Sequence, residues 1–291
     1  MKRFKDIIHI FKPKQKHWVG DGFHVYSMFQ PHPELNSLIS PFLLMDYAPS
    51  EYFPASDVTR GVGEHPHRGF ETVTFVYKGE VEHMDSAGGG GKISPGDVQW
   101  MTAGAGLVHE EKHSKVLTET GGYFSMVQLW VNLPRNKKMT SPRYQSVKAQ
   151  SFPLLSLDSY GKESLKLIAG EIAWEKGPCE THSEITLFEL DMQESKEHEI
   201  QLKEKTNTLM LILEGKLLIN KIQLQKNQLA ILGQEGEFIE FKTMEQTKIL
   251  VLNGVPINEP IAARGPFVMN FHDEIQQAFE DYQNGKMGTL Y

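Results

Sequence analysis

Cysteine is all but absent from this chain of 291 residues: Cys179 stands alone. No intramolecular disulfide can form, which fits a reducing compartment. Long apolar runs are missing as well. No stretch reaches the roughly 20 residues that span a bilayer. The opening Met1-Lys2-Arg3-Phe4 has the charge of a signal-peptide start, but Asp6, His9 and Lys12 interrupt the apolar run that would have to follow. Positive charge is in deficit, with 30 Lys and Arg against 37 Asp and Glu and a net charge of −7. That balance excludes a broadly basic surface for nucleic acid. Lys2, Arg3, Lys5, Lys12, Lys14 and Lys16 crowd the start of the chain and read as a solvated end. A soluble cytoplasmic protein is expected.

What is present is a globular composition, 40% hydrophobic and 23% charged, cut into short β-prone runs. Thr72 to Tyr77 is β-branched and aromatic and stops at Gly79. Val98-Gln99-Trp100-Met101 follows a Pro95-Gly96 turn, and Val127 to Leu133 is closed by Pro134. Strands of this length and spacing predict an all-β sandwich or barrel. Gly88 to Gly91 reads as a hairpin loop, because a nucleotide-binding loop would need a helix after it. The pattern then recurs. Met210 to Gly215 echoes Thr74 to Gly79 at an offset of 136 (210 minus 74), and Leu224 to Leu229 echoes Ile93 to Val98 at 131 (224 minus 93). Asn227 stands where the first copy has Gly96, as Asn does at positive φ. Two tandem β-units are expected, over residues 1–145 and 177–291, with 146–176 linking them. Ile275, Ala278, Phe279 and Tyr282 form one helical face, so a short helix should pack back on a barrel near the C-terminus.

Twelve histidines are present, and most must be ordinary. His65-Pro66-His67 and His109-Glu110-Glu111 differ because each places two metal-binding groups at i, i+2. In a strand such residues share a face. Two facing strands would offer three imidazoles and a carboxylate, which suits a divalent transition ion with positions left open. By alternation, Glu71 and Glu111 are both able to be the fourth ligand. The second copy has Gln201, Lys203 and Glu240 at the corresponding positions, so it has lost the set. Gln128, in an apolar strand beside Trp130, and Asp46 are candidates for the pocket wall.

These motifs resemble the cupin superfamily. His65-Pro66-His67-Arg68-Gly69-Phe70-Glu71 matches the first cupin motif, and Pro95-Gly96-Asp97 with His109 matches the second. The longer runs are similar to the pirin family: His65 to Thr72, Pro95 to Gly104, Gln128 to Leu133, Gly254 to Pro260 and Gly265 to Met269. The resemblance covers nearly the whole chain. It implies two tandem cupin (jelly-roll, double-stranded β-helix) barrels, with Fe(II) in the first only and held by His65, His67, His109 and Glu111. Glu71 would then sit behind the ligands. It also implies quercetin 2,3-dioxygenase chemistry, in which a flavonol ring is opened with O2 and Glu111 is placed to take the phenolic proton. The residues themselves admit other divalent metals. The resemblance also carries a second possibility, a regulator that binds a protein partner according to its metal state, and a third is a cupin enzyme acting on another small molecule. Ala105 stands where many of the family carry Arg.

Overall fold

Strand alternation and turn chemistry build two β-units of the same design. The computed structural model describes residues 2–194 and 197–290. One unit comprises Lys14–Pro31, Phe42–Gln150 and Ile257–Tyr291; the other comprises Met1–Pro13, His32–Pro41 and Ser151–Pro256. In the first, a seven-stranded sheet runs in the order Arg143–Val147, Val98–Thr102, Phe70–Lys78, Gly122–Asn132, Phe42–Phe53, Phe23–Phe29 and His17–Val19. A four-stranded sheet runs Gly61–His67, Leu107–His113, Val81–Asp85 and Gly90–Ile93. The ladders are antiparallel. Phe23, Val25, Val76, Val81, Ile93, Phe124 and Met126 pack together as a core cluster, drawn from strands of both sheets.

The second unit repeats the plan strand for strand. Its seven-stranded sheet runs Ile7–Phe11, Leu229–Leu232, Asn207–Glu214, Thr247–Gly254, Ile185–Met192, Ser164–Ala169 and Leu154–Ser156. A four-stranded sheet accompanies it. Phe70–Lys78 and Asn207–Glu214 occupy the same place in the order, as do Val98–Thr102 and Leu229–Leu232. The sequence offsets identified these same pairs. Gly96 and Asn227 have φ of +87° and +67°, so the Asn does stand in for Gly in a left-handed turn.

Neither unit is one contiguous stretch, where the sequence suggested a cut near residue 145 and another near 177. The edge place that Arg143–Val147 fills in the first unit is filled in the second by Ile7–Phe11, paired to Leu229–Leu232. Residues 146–176 are more than a link, because Ser164–Ala169 is a buried strand of the second sheet. The C-terminal helix, His272–Gln283, belongs to the first unit. Ile275 and Ala278 pack there against Val108, Phe267 and Met269. Tyr282, expected on that face, is exposed. Asp281 is buried in its place and accepts a hydrogen bond from Arg68 at 2.9 Å.

The basic start of the chain is not wholly solvated either. Lys5 is fully buried, and its Nζ donates to the carbonyls of Thr206, Gly233 and Gln234 at 3.0, 3.2 and 3.2 Å. Burial lowers its pKa to about 8. The folded state therefore sheds this proton before the unfolded chain does, and stability rises with pH between about 8 and the ordinary lysine value of 10.5. Lys5→Met should cost roughly 2–4 kcal/mol by stranding these carbonyls. The gap to the wild type should widen as pH rises through that window in urea-unfolding measurements.

Candidate metal centre

The site begins with a register. Gly61–His67 runs antiparallel to Leu107–His113 so that His65 lies directly opposite His109. A register shift then sets Glu111 opposite Val62. On the other side of Leu107–His113 the ladder to Val81–Asp85 is regular, with Asp85 opposite His109 and His83 opposite Glu111. Directly opposed residues share a face, so these four titratable side chains face the interior, as does His113 further along Leu107–His113. Glu110 points the other way and pairs with Lys112 at 2.6 Å.

His65, His67 and His109 come together as the sequence suggested. Their ring centroids are 4.2 to 4.8 Å apart, and their ligand atoms lie within 4.8 Å of one another. Burial, reinforced by the neighbouring imidazoles, depresses the pKa of His67 to about 3 and that of His109 well below the usual value. Both are therefore neutral at physiological pH, the form that binds a metal. His65 Nδ1 donates to the Gly63 carbonyl at 2.8 Å and His67 Nδ1 to the Pro266 carbonyl at 3.2 Å. A carbonyl only accepts, so each proton sits on Nδ1 and each Nε2 keeps its lone pair. His109 Nε2 is buried without a hydrogen-bond partner. Three converging imidazoles, two of them held neutral by burial and one with a buried nitrogen that no other group satisfies, fit a divalent metal ion.

Glu111 lies beside this trio rather than within it. Its carboxylate groups with His109 and His83, again within 4.8 Å. Oε1 accepts from Gln99 at 3.4 Å and lies 3.2 Å from the Thr74 hydroxyl, and Oε2 accepts from Gln128 at 3.2 Å. Glu71 falls outside both groups. Alternation from His67 does not reach it, because Arg68 and Gly69 turn between the two strands and Gly69 has φ +88°. A Cβ at Gly69 would stand 2.0 Å from the Val268 carbonyl oxygen, so this tight passage admits only glycine. Glu71 instead accepts from Thr102 at 2.7 Å, and burial raises its pKa to about 7 against the lowering by Thr102, Trp100 and Arg143.

A cavity of about 190 Å³ opens onto His65, His67 and Glu111. Phe23, Leu44, Val62, Met126 and Trp130 give it apolar walls, and Asp46 and Gln128 face it from paired positions on adjacent strands. Asp46 accepts from Ser27 at 2.6 Å, and its pKa is raised by burial, which outweighs that bond. It is thus a wall residue inside a strand. A larger cavity, about 990 Å³, lies in the other unit. No grouping of three metal-ligating side chains lines it among the described residues, and Gln201, Lys203 and Glu240 are exposed there. Sequence reasoning gave no role to His83, Asp85 or Gln99. The signal was available, since His83-Met84-Asp85 has the same i, i+2 spacing as the two pairs it singled out.

Comparison with known proteins agrees with this geometry. The family model described as Pirin matches residues 22–131, and the one described as Pirin C-terminal cupin domain matches 187–288. A crystal structure of quercetin 2,3-dioxygenase from Acinetobacter baumannii superposes with a TM-score of 0.95 at 46% identity, covering 99% of this chain and 100% of that one. A Pseudomonas aeruginosa protein named "Putative quercetin 2,3-dioxygenase PA2418" is 45% identical over 97% of this chain and 98% of its own. Mouse pirin is 33% identical over 88% of this chain and 85% of its own.

Glu71 and Glu111 are separable by experiment. Glu71→Gln should keep its metal in elemental analysis, whereas Glu111→Gln should lose affinity by 10-fold or more (about 1.4 kcal/mol or more). The folded protein holds the Glu71 proton up to about pH 7, against 4.5 for an ordinary Glu. Stability therefore falls as pH rises across that interval. In metal-free protein, Glu71→Gln should remove a loss on the order of 2–3 kcal/mol between pH 5 and pH 8, read by urea unfolding.

Proposed function

The chain belongs to the pirin family, and on that premise we propose that it is a metal-dependent dioxygenase that opens the ring of a quercetin-like flavonol with O2, with Fe(II) as its ion. The observation that carries the reading is the trio of converging imidazoles, His67 and His109 held neutral by burial, set beside a carboxylate at the end of an apolar cavity. Similarity to proteins named for this activity supports the substrate class. The choice of iron rests on the family, since these donors bind nickel, copper, manganese and zinc as well.

When bound, a divalent ion supplies Lewis acidity toward a phenolic oxygen and a position for dioxygen. The rest falls to the chain. His65, His67 and His109 hold the ion and move no proton. Glu111 is the group set to accept the phenolic proton, and the amide of Gln128 holds its Oε2 toward the cavity. Trp130, backed by Phe70 at a centroid distance of 4.2 Å, offers a flat wall for an aromatic ring. Val62, Leu44 and Met126 keep the chamber poor in water. Its volume of about 190 Å³ is below the roughly 300 Å³ at which pockets enclose drug-sized ligands. It therefore takes the reacting ring, while the remaining rings of a flavonol extend toward the mouth.

Elemental analysis of untreated protein, joined to oxygen-uptake assays with quercetin and simpler phenols, tests the proposal. About one iron per chain and quercetin-dependent uptake that a chelator abolishes and Fe(II) restores are expected. His67→Ala should lose both metal and at least 100-fold in turnover (about 2.7 kcal/mol). Uptake that persists after complete removal of metal, or that is negligible with quercetin, would overturn it.

A further inference from the structure

His65 and His67 each lean their Nδ1–H on a backbone carbonyl. His109 has no carbonyl behind it. Its Nδ1 faces Nδ1 of His83 at 3.4 Å. Imidazole nitrogen, unlike a carbonyl, accepts only when it carries no proton, so the state of His109 depends on the state of His83.

His83 in turn faces Asp85. Its Nε2 lies 3.3 Å from Asp85 Oδ2, and both side chains are buried. Asp85 is itself pinned. The backbone amides of Ala87 and Gly89 donate to its Oδ1 at 2.8 and 2.9 Å, which leaves Oδ2 for the histidine. The glycine loop allows this wrap, since a Cβ at Gly89 would sit 2.3 Å from Asp85 Oδ2 and 2.5 Å from Tyr144 Cβ. A carboxylate can only accept, so His83 carries a proton on Nε2. Gln99 gives independent support. Its Oε1 takes the Tyr144 hydroxyl at 3.3 Å, which turns its NH2 toward Glu111 and toward His83 Nδ1 at 3.1 Å. A donor there needs an acceptor opposite it, so His83 Nδ1 carries no proton and shares its one lone pair between Gln99 at 3.1 Å and His109 at 3.4 Å.

We propose that Asp85 and His83 are positioning residues that set the tautomer of His109 through this chain of hydrogen bonds, keeping its proton on Nδ1 and its Nε2 lone pair free for the metal. The inference rests on the metal reading of the three imidazoles but not on any substrate. Outer partners that orient a ligand histidine are commonly carboxylates or carbonyls; here a second histidine stands between the carboxylate and the ligand, so the tautomer is relayed over two rings. His83 is not a ligand in this scheme, although its nitrogen groups with His109 and Glu111.

Asp85→Asn tests the relay because the two loop amides fix the orientation of the new side chain. Its oxygen must stay toward Ala87 and Gly89, so its NH2 points at His83. His83 should then move its proton to Nδ1, and His109 should move its own to Nε2. Nitrogen-15 NMR of metal-free protein reads both tautomers directly, and titration with Co(II) reads the consequence. The wild type should show His109 protonated on Nδ1. Asp85→Asn should invert it and weaken Co(II) about 10- to 100-fold. His83→Ala should weaken Co(II) as Asp85→Asn does, and His83→Asn, which keeps an acceptor near the Nδ1 position, should recover most of that loss. A wild-type His109 protonated on Nε2 would overturn the proposal, whether or not the variants fold. So would an Asp85→Asn variant unchanged in tautomer and affinity. A His83→Asn variant as deficient in Co(II) as His67→Ala would overturn it too, by making His83 a ligand. Failure of the dioxygenase assay alone would leave these readouts unmoved.

Discussion

The register between two antiparallel strands governs this molecule. With His65 opposite His109, the rings of three histidines meet, two of them buried and His65 half-buried at the cavity. Crowding and burial leave His67 and His109 without a charge. Each must also find somewhere to place its single proton without turning it toward the other two. The backbone solves this for His65 and His67 with carbonyls. For His109, deepest in the sheet, a neighbouring side chain takes the carbonyl's place. Much of the surrounding polar structure, including Gln99, Tyr144 and the glycine hairpin, follows from keeping one lone pair exposed in a dry interior.

Support for the site reaches along the sequence as well as across the sheet. Arg68, between His67 and the Gly69 turn, donates to the Ala105 carbonyl at 2.6 Å and to Asp281 on the C-terminal helix. Lys138 is buried against the carbonyls of Gly69 and Val268 and the side chain of Asn132. The His-x-His strand is therefore clamped on both sides of its exit turn, and Pro266 caps His67 from the same C-terminal segment. Preorganisation of this kind keeps donors converged before any ion arrives.

Much of this was legible from spacing alone. The i, i+2 pairs, the tandem offsets and the Gly96–Asn227 equivalence depend on local periodicity, and local periodicity survives folding. The failures were of another kind. Alternation misjudged Glu71 because one residue at positive φ resets which face a strand presents. His83-x-Asp85 went unread because a histidine beside an aspartate is common, and only the neighbouring strand gives it meaning. Tyr282 fell off its face because a buried ion pair at Asp281 rotated the helix's priorities. The interleaving of the two units was not legible either, because the edge strand of one and the helix of the other lie far in sequence from the strands they complete.

That interleaving bears on how the protein can be made and dissected. Ile7 pairs with Leu232, so this strand leaves the ribosome long before its partner exists and must wait unpaired, an exposed sheet edge prone to straying. The unit that carries the histidine cluster is likewise unfinished until residues 257 onward are synthesised. No single scission divides the polypeptide into two halves that each own all their strands. Removing the first dozen residues would open a flank of the barrel without the histidine cluster, and trimming the tail would unbrace the one that carries it.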